Sequence, residues 1–241
     1  MKKIITMICL VMMATCLMKG QDVSEEIGTK TEYINEVQSG KASLFLNAQT
    51  WATSNTTDRK VTIEASDKEA GTIILKVSEQ LPRTSGINTY SIIKVQMNVR
   101  IDCRDNKYRV SFYNFTSTVQ PDNTVESEFL STKNLQNQIK ELEMVTRLSE
   151  KDFGKEMYWG LEKMISAREK YKSQNERYKE QIGTFDSSTK KGQKEIQYRK
   201  DWISENDEYV NYINYILKGF GGGVTNVYNS LSKAMNVSDD F

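Results

Sequence analysis

From Asn88 to Thr118 the chain alternates between apolar and polar positions almost without interruption. Ile93, Val95, Met97, Val99, Ile101 and Cys103 take one set of positions, and Lys94, Gln96, Asn98, Arg100 and Asp102 the other. A period of two is that of a strand with one buried face. Asp105-Asn106 breaks the run with two residues that tolerate a left-handed backbone, which predicts a two-residue hairpin loop and with it the register. In that register Asp102 faces Arg109, Cys103 faces Tyr108, Ile101 faces Val110 and Val99 faces Phe112, so that apolar pairs share one face.

The flanking segments extend the pattern. Thr31 to Val37 reads as a first strand. Leu44, Ala48, Trp51 and Ala52 recur at helical spacing within Lys41 to Ser54, with Phe45 at the margin and Ser39 placed to cap the free amides. Val61, Ile63 and Ala65 alternate in one short strand, and Asp67 to Gly71 turns the chain into another carrying Ile73, Leu75 and Val77. Pro82 and Pro121, the only prolines, bracket the long hairpin. Residues 30–120 therefore predict an α+β unit: strand, helix, then four strands of an antiparallel sheet, with the helix on one face.

After Pro121 the period becomes helical. Leu135, Ile139, Leu142, Val145 and Leu148 form one stripe, with Asn123 and Glu126 able to box an earlier first turn. Ser149 and Asp152 mark another start, from which Met157, Leu161, Met164, Ile165, Tyr171, Tyr178 and Ile182 run to Gly183. Tyr198, Trp202, Tyr209, Ile213 and Ile216 define a last helix ending at Gly219, and these two helices suit an antiparallel pair. The expected helical region spans 121–218, followed over 219–241 by a glycine joint, Phe220 to Gly223, and a short amphipathic segment. An aromatic stripe interrupted by polar residues such as Asn206 suits either a core or a partner surface, including self-association through the C-terminal helices. Lys190, Lys191, Lys194, Arg199 and Lys200 open the last helix against its dipole, as a solvated face or as a patch for an anionic partner.

The N-terminus has the form of an export signal. Lys2 and Lys3 precede an apolar run from Ile4 to Leu17, and Gly20 offers a cleavage point before Gln21, which makes residues 1–20 a signal peptide and 21–29 a flexible lead-in. The expected location is periplasmic, secreted or associated with the outer membrane. Lipid attachment at Cys16 is a second route, although Met13 and Thr15 depart from the usual lipoprotein pattern, and an uncleaved anchor is a third. Once the signal is processed, only a lipid anchor would bring the domain to a membrane. Loss of residues 1–20 leaves 30 basic against 32 acidic residues, a net of −2, which gives no general attraction for nucleic acid.

Candidate chemistry is sparse. The chain contains no histidine, so His-containing triads and His metal sites are excluded. Past the signal Cys103 is the only cysteine, placed as a small buried hydrophobe, and it makes neither a disulfide nor a zinc site alone. Gly219 to Gly223 follows a helix where a phosphate loop would open one. These features predict no catalytic residues, no cofactor, no metal and no enzyme activity. Two functions fit: a non-enzymatic envelope protein acting as a structural or interaction module, or a soluble protein binding a small molecule, peptide or glycan on its sheet. For the second, the face opposite the core would gather Gln96, Asn98, Arg100, Tyr113 and Phe115, unless the C-terminal helices cover it.

Leu44-Phe45-Leu46-Asn47-Ala48-Gln49-Thr50-Trp51, then Asp67-Lys68-Glu69-Ala70-Gly71-Thr72-Ile73, then the alternation ending in Arg104-Asp105-Asn106-Lys107-Tyr108-Arg109, resemble the domain of unknown function 4468 over about residues 30 to 130. The resemblance implies a TBP-like fold and an exported protein of a Gram-negative bacterium. It carries no catalytic motif and licenses no claim about DNA.

Overall fold

The computed structural model describes residues 29–54, 59–82, 91–121, 132–153 and 158–236. The predicted signal with Cys16, the Asn123 and Glu126 box and Met157 lie outside them. In order, the elements are β1 (Lys30–Glu36), α1 (Lys41–Thr53), β2 (Arg59–Asp67), β3 (Thr72–Gln80), β4 (Ser91–Arg104), β5 (Lys107–Pro121), α2 (Thr132–Leu148), a π-helical turn (Ser149–Phe153), β6 (Tyr158–Gly160), α3 (Leu161–Ile182) and α4 (Lys190–Met235). The fold class is α+β. Its antiparallel sheet runs β1-β5-β4-β3-β2, and β6 shares the outer edge of β5 with β1.

The long hairpin forms in the expected register, with Asp102 opposite Arg109, Cys103 opposite Tyr108, Ile101 opposite Val110 and Val99 opposite Phe112. Asn106 supplies the left-handed residue of its turn, at φ 62°. The turn also settles how α1 begins. Gly40 occupies the cap position and offers no side chain, and it is Asp105 that accepts the Lys41 backbone N–H at 2.9 Å. The expected cap Ser39 instead uses its carbonyl to accept the Asn106 N–H at 2.9 Å. A carboxylate 64 residues away thus does the work expected of a local hydroxyl.

One face of the sheet is dry. Ile93, Val95, Met97, Val99 and Ile101 on β4 and Ile73, Leu75 and Val77 on β3 are fully buried beneath α1 and α4. Helix α1 contributes Leu44, Phe45, Ala48, Trp51 and Ala52, its predicted face. Trp51 donates its indole N–H to Ser230 of α4 at 2.9 Å, which joins the two helices above the sheet.

Helix α4 differs from expectation. It does not end at Gly219, and residues 219–223 are no joint: one helix of 46 residues continues through them. Interior glycines cost a helix about 1 kcal/mol each relative to alanine, and two are used for close approach. A Cβ at Gly219 would lie 2.5 Å from Leu81 Cδ1, and one at Gly223 would lie 2.9 Å from Met97 Cε. Beyond them Val224, Val227, Leu231 and Met235 are buried, Tyr228 stacks on Tyr33 at 4.2 Å, and Tyr108 donates to Ser232. The final amphipathic segment is therefore the part of α4 that covers the sheet.

Helices α3 and α4 form the expected antiparallel pair. Tyr209, Ile213 and Ile216 are fully buried, so this part of the aromatic stripe is core. Asn206 donates to Asn175 at 2.9 Å, and Asn175 donates to Asp207 at 2.7 Å, a polar register mark inside the pair. Helix α3 starts at Leu161, later than Ser149 or Asp152 predicts. The intervening residues instead send Phe153 and Trp159 into the core, stacked at 4.5 Å with Trp159 against Tyr212. Among the described residues no helix is long and apolar enough to cross a membrane.

Candidate functional site

On β4 the odd-numbered side chains point into the core and the even-numbered ones point away, so Gln96, Asn98, Arg100 and Asp102 share the outward face. On β5 the alternation changes phase. Gln96 pairs with Thr116 but Asn98 pairs with Tyr113, so two residues, Asn114 and Phe115, stand opposite Met97. Asn114 takes φ 54°, the left-handed conformation of a β-bulge. Before the bulge Tyr108, Val110 and Phe112 point inward; after it Phe115, Ser117 and Val119 do.

This phase change removes Phe115 from the expected binding face. Its ring is 4% exposed and packs edge-on against Phe220 of α4 at 5.7 Å. Tyr113 stays outward, paired with Asn98 and partly exposed. The C-terminal helices pack on the other side at this point: α4 lies on the same side as α1, and no described helix lies over Asn98, Arg100 or Tyr113. Four of the five expected residues, Gln96, Asn98, Arg100 and Tyr113, therefore share one open surface. The bulge was readable in the inward apolar series, which steps from Phe112 to Phe115 across three residues instead of two, with Asn114 between.

Neighbours that periodicity did not single out complete the surface. Asp102 accepts from Arg100 Nε at 3.0 and 3.1 Å, from an Arg109 terminal nitrogen at 2.8 Å, and from Thr72 Oγ1 at 2.8 Å. Glu32 of β1 accepts from Ser111 at 2.7 Å and pairs with Lys30 at 2.8 Å. Lys30, Glu32, Arg100, Arg109, Ser111 and Tyr113 border a shallow depression of about 530 Å³. Beside it stands Ile34, 72% exposed.

Burial pushes the Asp102 carboxyl upward, but the hydrogen bonds from Arg109, Thr72 and Arg100 outweigh it and hold the group below the usual aspartate range. A carboxyl depressed in the folded state contributes stability that is present above its unfolded value and is lost as pH falls through the folded one. We expect Asp102→Asn to be less stable than the parent at neutral pH and to lose less on acidification below about pH 4. Denaturant midpoints at pH 7 and pH 3 measure both; a midpoint difference independent of pH contradicts it.

Cys103 lies on the opposite, dry face. Burial, followed by the Asp102 charge, pushes its thiol up to about 12. It is a small core hydrophobe with no thiolate to offer near neutrality. The native protein is expected to react with an aromatic disulfide at least roughly tenfold more slowly than the urea-unfolded chain, and equal rates contradict this placement.

Elsewhere the arrangement serves the fold. Arg199 of the basic run pairs with Glu195 and lies over Phe185 and Tyr198, while Thr189 caps α4 by accepting the Gly192 N–H at 3.0 Å. A groove of about 800 Å³ runs between Leu81 and the glycines of α4. Among the described residues no group of three His, Cys, Asp or Glu side chains is placed to hold a metal ion.

The outward face lies within the stretch that has known relatives. Residues 31–118 match the model of DUF4468, described as a domain of unknown function with TBP-like fold. Two crystal structures are similar. A TBP-like protein from Parabacteroides distasonis ATCC 8503 is 21% identical, over 43% of this chain and 67% of that one, with a TM-score of 0.32. A DUF4468 family protein from Bacteroides ovatus ATCC 8483 is 12% identical, over 52% of this chain and 87% of that one, with a TM-score of 0.33. The chain has no match among curated proteins. Over residues 31–118, from the first strand of the sheet to the end of its long hairpin, this chain is matched by the DUF4468 domain family with its TBP-like fold.

Proposed function

We propose that this is an exported, non-enzymatic interaction protein of the cell envelope that recognises its partner on the outward face of the sheet. One observation carries the reading: both α1 and α4 pack on one side, which leaves a six-stranded sheet with a polar second face that no described helix occupies. Sheet faces left open by a fold are where binding groups can be displayed on rigid strands. The N-terminal signal pattern supports export, and the lack of histidine supports a role without catalysis.

A photo-crosslinking amino acid at Ile34, on the open face, tests this in cells. It is expected to give a specific adduct, whereas the same group at Lys172 of α3 is expected to give none. Adducts at Lys172 with none at Ile34 would overturn the reading. The intact mass of the mature chain separates its two forms. A start at Gln21 indicates a diffusible binding protein, and a lipidated start at Cys16 a membrane-tethered one.

Self-association through the helical region is the second reading, favoured by the exposed Leu135 and Ile139 of α2. Four residues apart, they lie on one face of the helix. Sedimentation that stays monomeric at high concentration would remove it.

A further inference from the structure

We propose that the outward sheet face takes an acidic polysaccharide, with Arg100 and Arg109 receiving a carboxylate. The proposal rests on the sheet-face reading above and names its ligand class. Three observations support it.

The first is charge. Lys60, Lys76, Lys94, Arg100, Arg104 and Arg109 all stand at outward or exposed positions of β2 to β5, where they outnumber the acids Glu64, Asp67 and Asp102. Loss of the signal would leave the chain slightly acidic overall, so this concentration of positive charge is local.

The second is the state of the two arginines. Asp102 holds Arg100 through its Nε edge, and the two terminal nitrogens of Arg100 make no hydrogen bond among the described residues. Arg109 uses Nε and one terminal nitrogen on Asp102, leaving the other terminal nitrogen open. Both side chains are nearly half exposed. A cross-strand ion pair needs one guanidinium per carboxylate. The second supplies a surplus cation, oriented in advance, whose planar fork suits an incoming carboxylate.

The third is what surrounds them. Gln96 and Asn98 provide amide groups able to donate and accept, as sugar hydroxyls require, and Tyr113 offers an aromatic edge. The interspersed Glu32 and Asp67 are useful acceptors for hydroxyls but repel closely spaced phosphates. The aromatics of this face among the described residues are Tyr113 and, opposite Thr118 five residues further along β5, Tyr158, whereas single-stranded nucleic acid needs a continuous series of stacking platforms. A hydroxyl-rich anionic chain fits better than a nucleic acid.

Titration calorimetry of the full mature protein with polygalacturonate tests this, with neutral dextran and an oligodeoxynucleotide as comparisons. Polygalacturonate is expected to bind and to weaken as salt rises. Arg100→Gln combined with Arg109→Gln should lower affinity by roughly tenfold or more. Arg100→Lys, which keeps the charge and loses the fork, should fall between. Lys190→Gln with Lys191→Gln, on the helical pair, should change nothing. Binding that survives the double arginine variant, tighter binding of the oligonucleotide, or no binding of polygalacturonate overturns the inference. If polygalacturonate fails while Ile34 still crosslinks a partner, the ligand class alone is wrong; if both fail, the sheet-face reading falls with it.

Discussion

Replacing Phe220 by alanine lowers the free energy of unfolding by about 3–5 kcal/mol, the cost of emptying a buried aromatic site. It does so for sheet and helices together. Phe220 is fully buried and meets Phe115 edge-on, the residue that the bulge turns into the core. It lies in the stretch of α4 that contains Gly219 and Gly223, where the helix comes closest to Leu81 and Met97. A cavity there loosens the seal between α4 and the sheet as well as removing one side chain's contacts. Denaturant unfolding followed by far-ultraviolet circular dichroism and by tryptophan fluorescence should give two curves that shift together, since Trp51 and Trp159 are buried at different places in the same core. Loss of helix at a midpoint well separated from that of the sheet would mean that α4 folds as a separate unit.

The second large effect is expected at Gly71, in the turn between β2 and β3. Its φ is +72°, and a Cβ there would lie 2.5 Å from the Cys103 carbonyl oxygen and 3.1 Å from Lys41 Cδ. The carbonyl is backbone of the central hairpin, and the Cys103 N–H donates to the Gly71 carbonyl at 2.7 Å, so the two strands have no room to part. The left-handed conformation costs a side-chain-bearing residue about 1–3 kcal/mol, and the collision adds to that. Gly71→Ala is therefore expected to lose at least about 2 kcal/mol of stability. Gly183→Ala is the control: there φ is −65° and the nearest contact, 3.4 Å from the Glu180 carbonyl, is tolerable, so stability should hold. Equal losses at the two glycines would contradict the account of the turn.

These positions show how far the sequence could be read. The alternation from Ile93 to Cys103, with Asp105-Asn106 after it, was enough to give the hairpin register pair by pair, because local side-chain period and turn length determine both. The apolar face of α1 was legible for the same reason. What escaped depends on distant partners. Asp105 caps α1 only because the hairpin turn is carried to it by the sheet. Gly219 to Gly223 looks like a break to a propensity argument, and becomes helix because the sheet rewards an approach that side chains would prevent. Trp159 sits in a three-residue strand too short to show a period.

The candidate site was legible in part. Gln96, Asn98, Arg100 and Tyr113 follow from alternation alone. Phe115 does not, since a single bulge residue reverses every side chain after it. Arg109 was placed opposite Asp102 by the register, but its joining with Arg100 on a single carboxylate appears only when the strands are side by side.

Solvent paramagnetic relaxation of the ring protons in the protein tests the central claim most directly, because it reports which side chains of β5 meet water. Tyr113 should relax strongly with a soluble paramagnetic probe, while Phe115, two residues on, stays protected and shows contacts to Phe220. Protection of both rings would mean that the outward face is covered, and strong relaxation of Phe115 would mean that the bulge and the helix seal are misplaced.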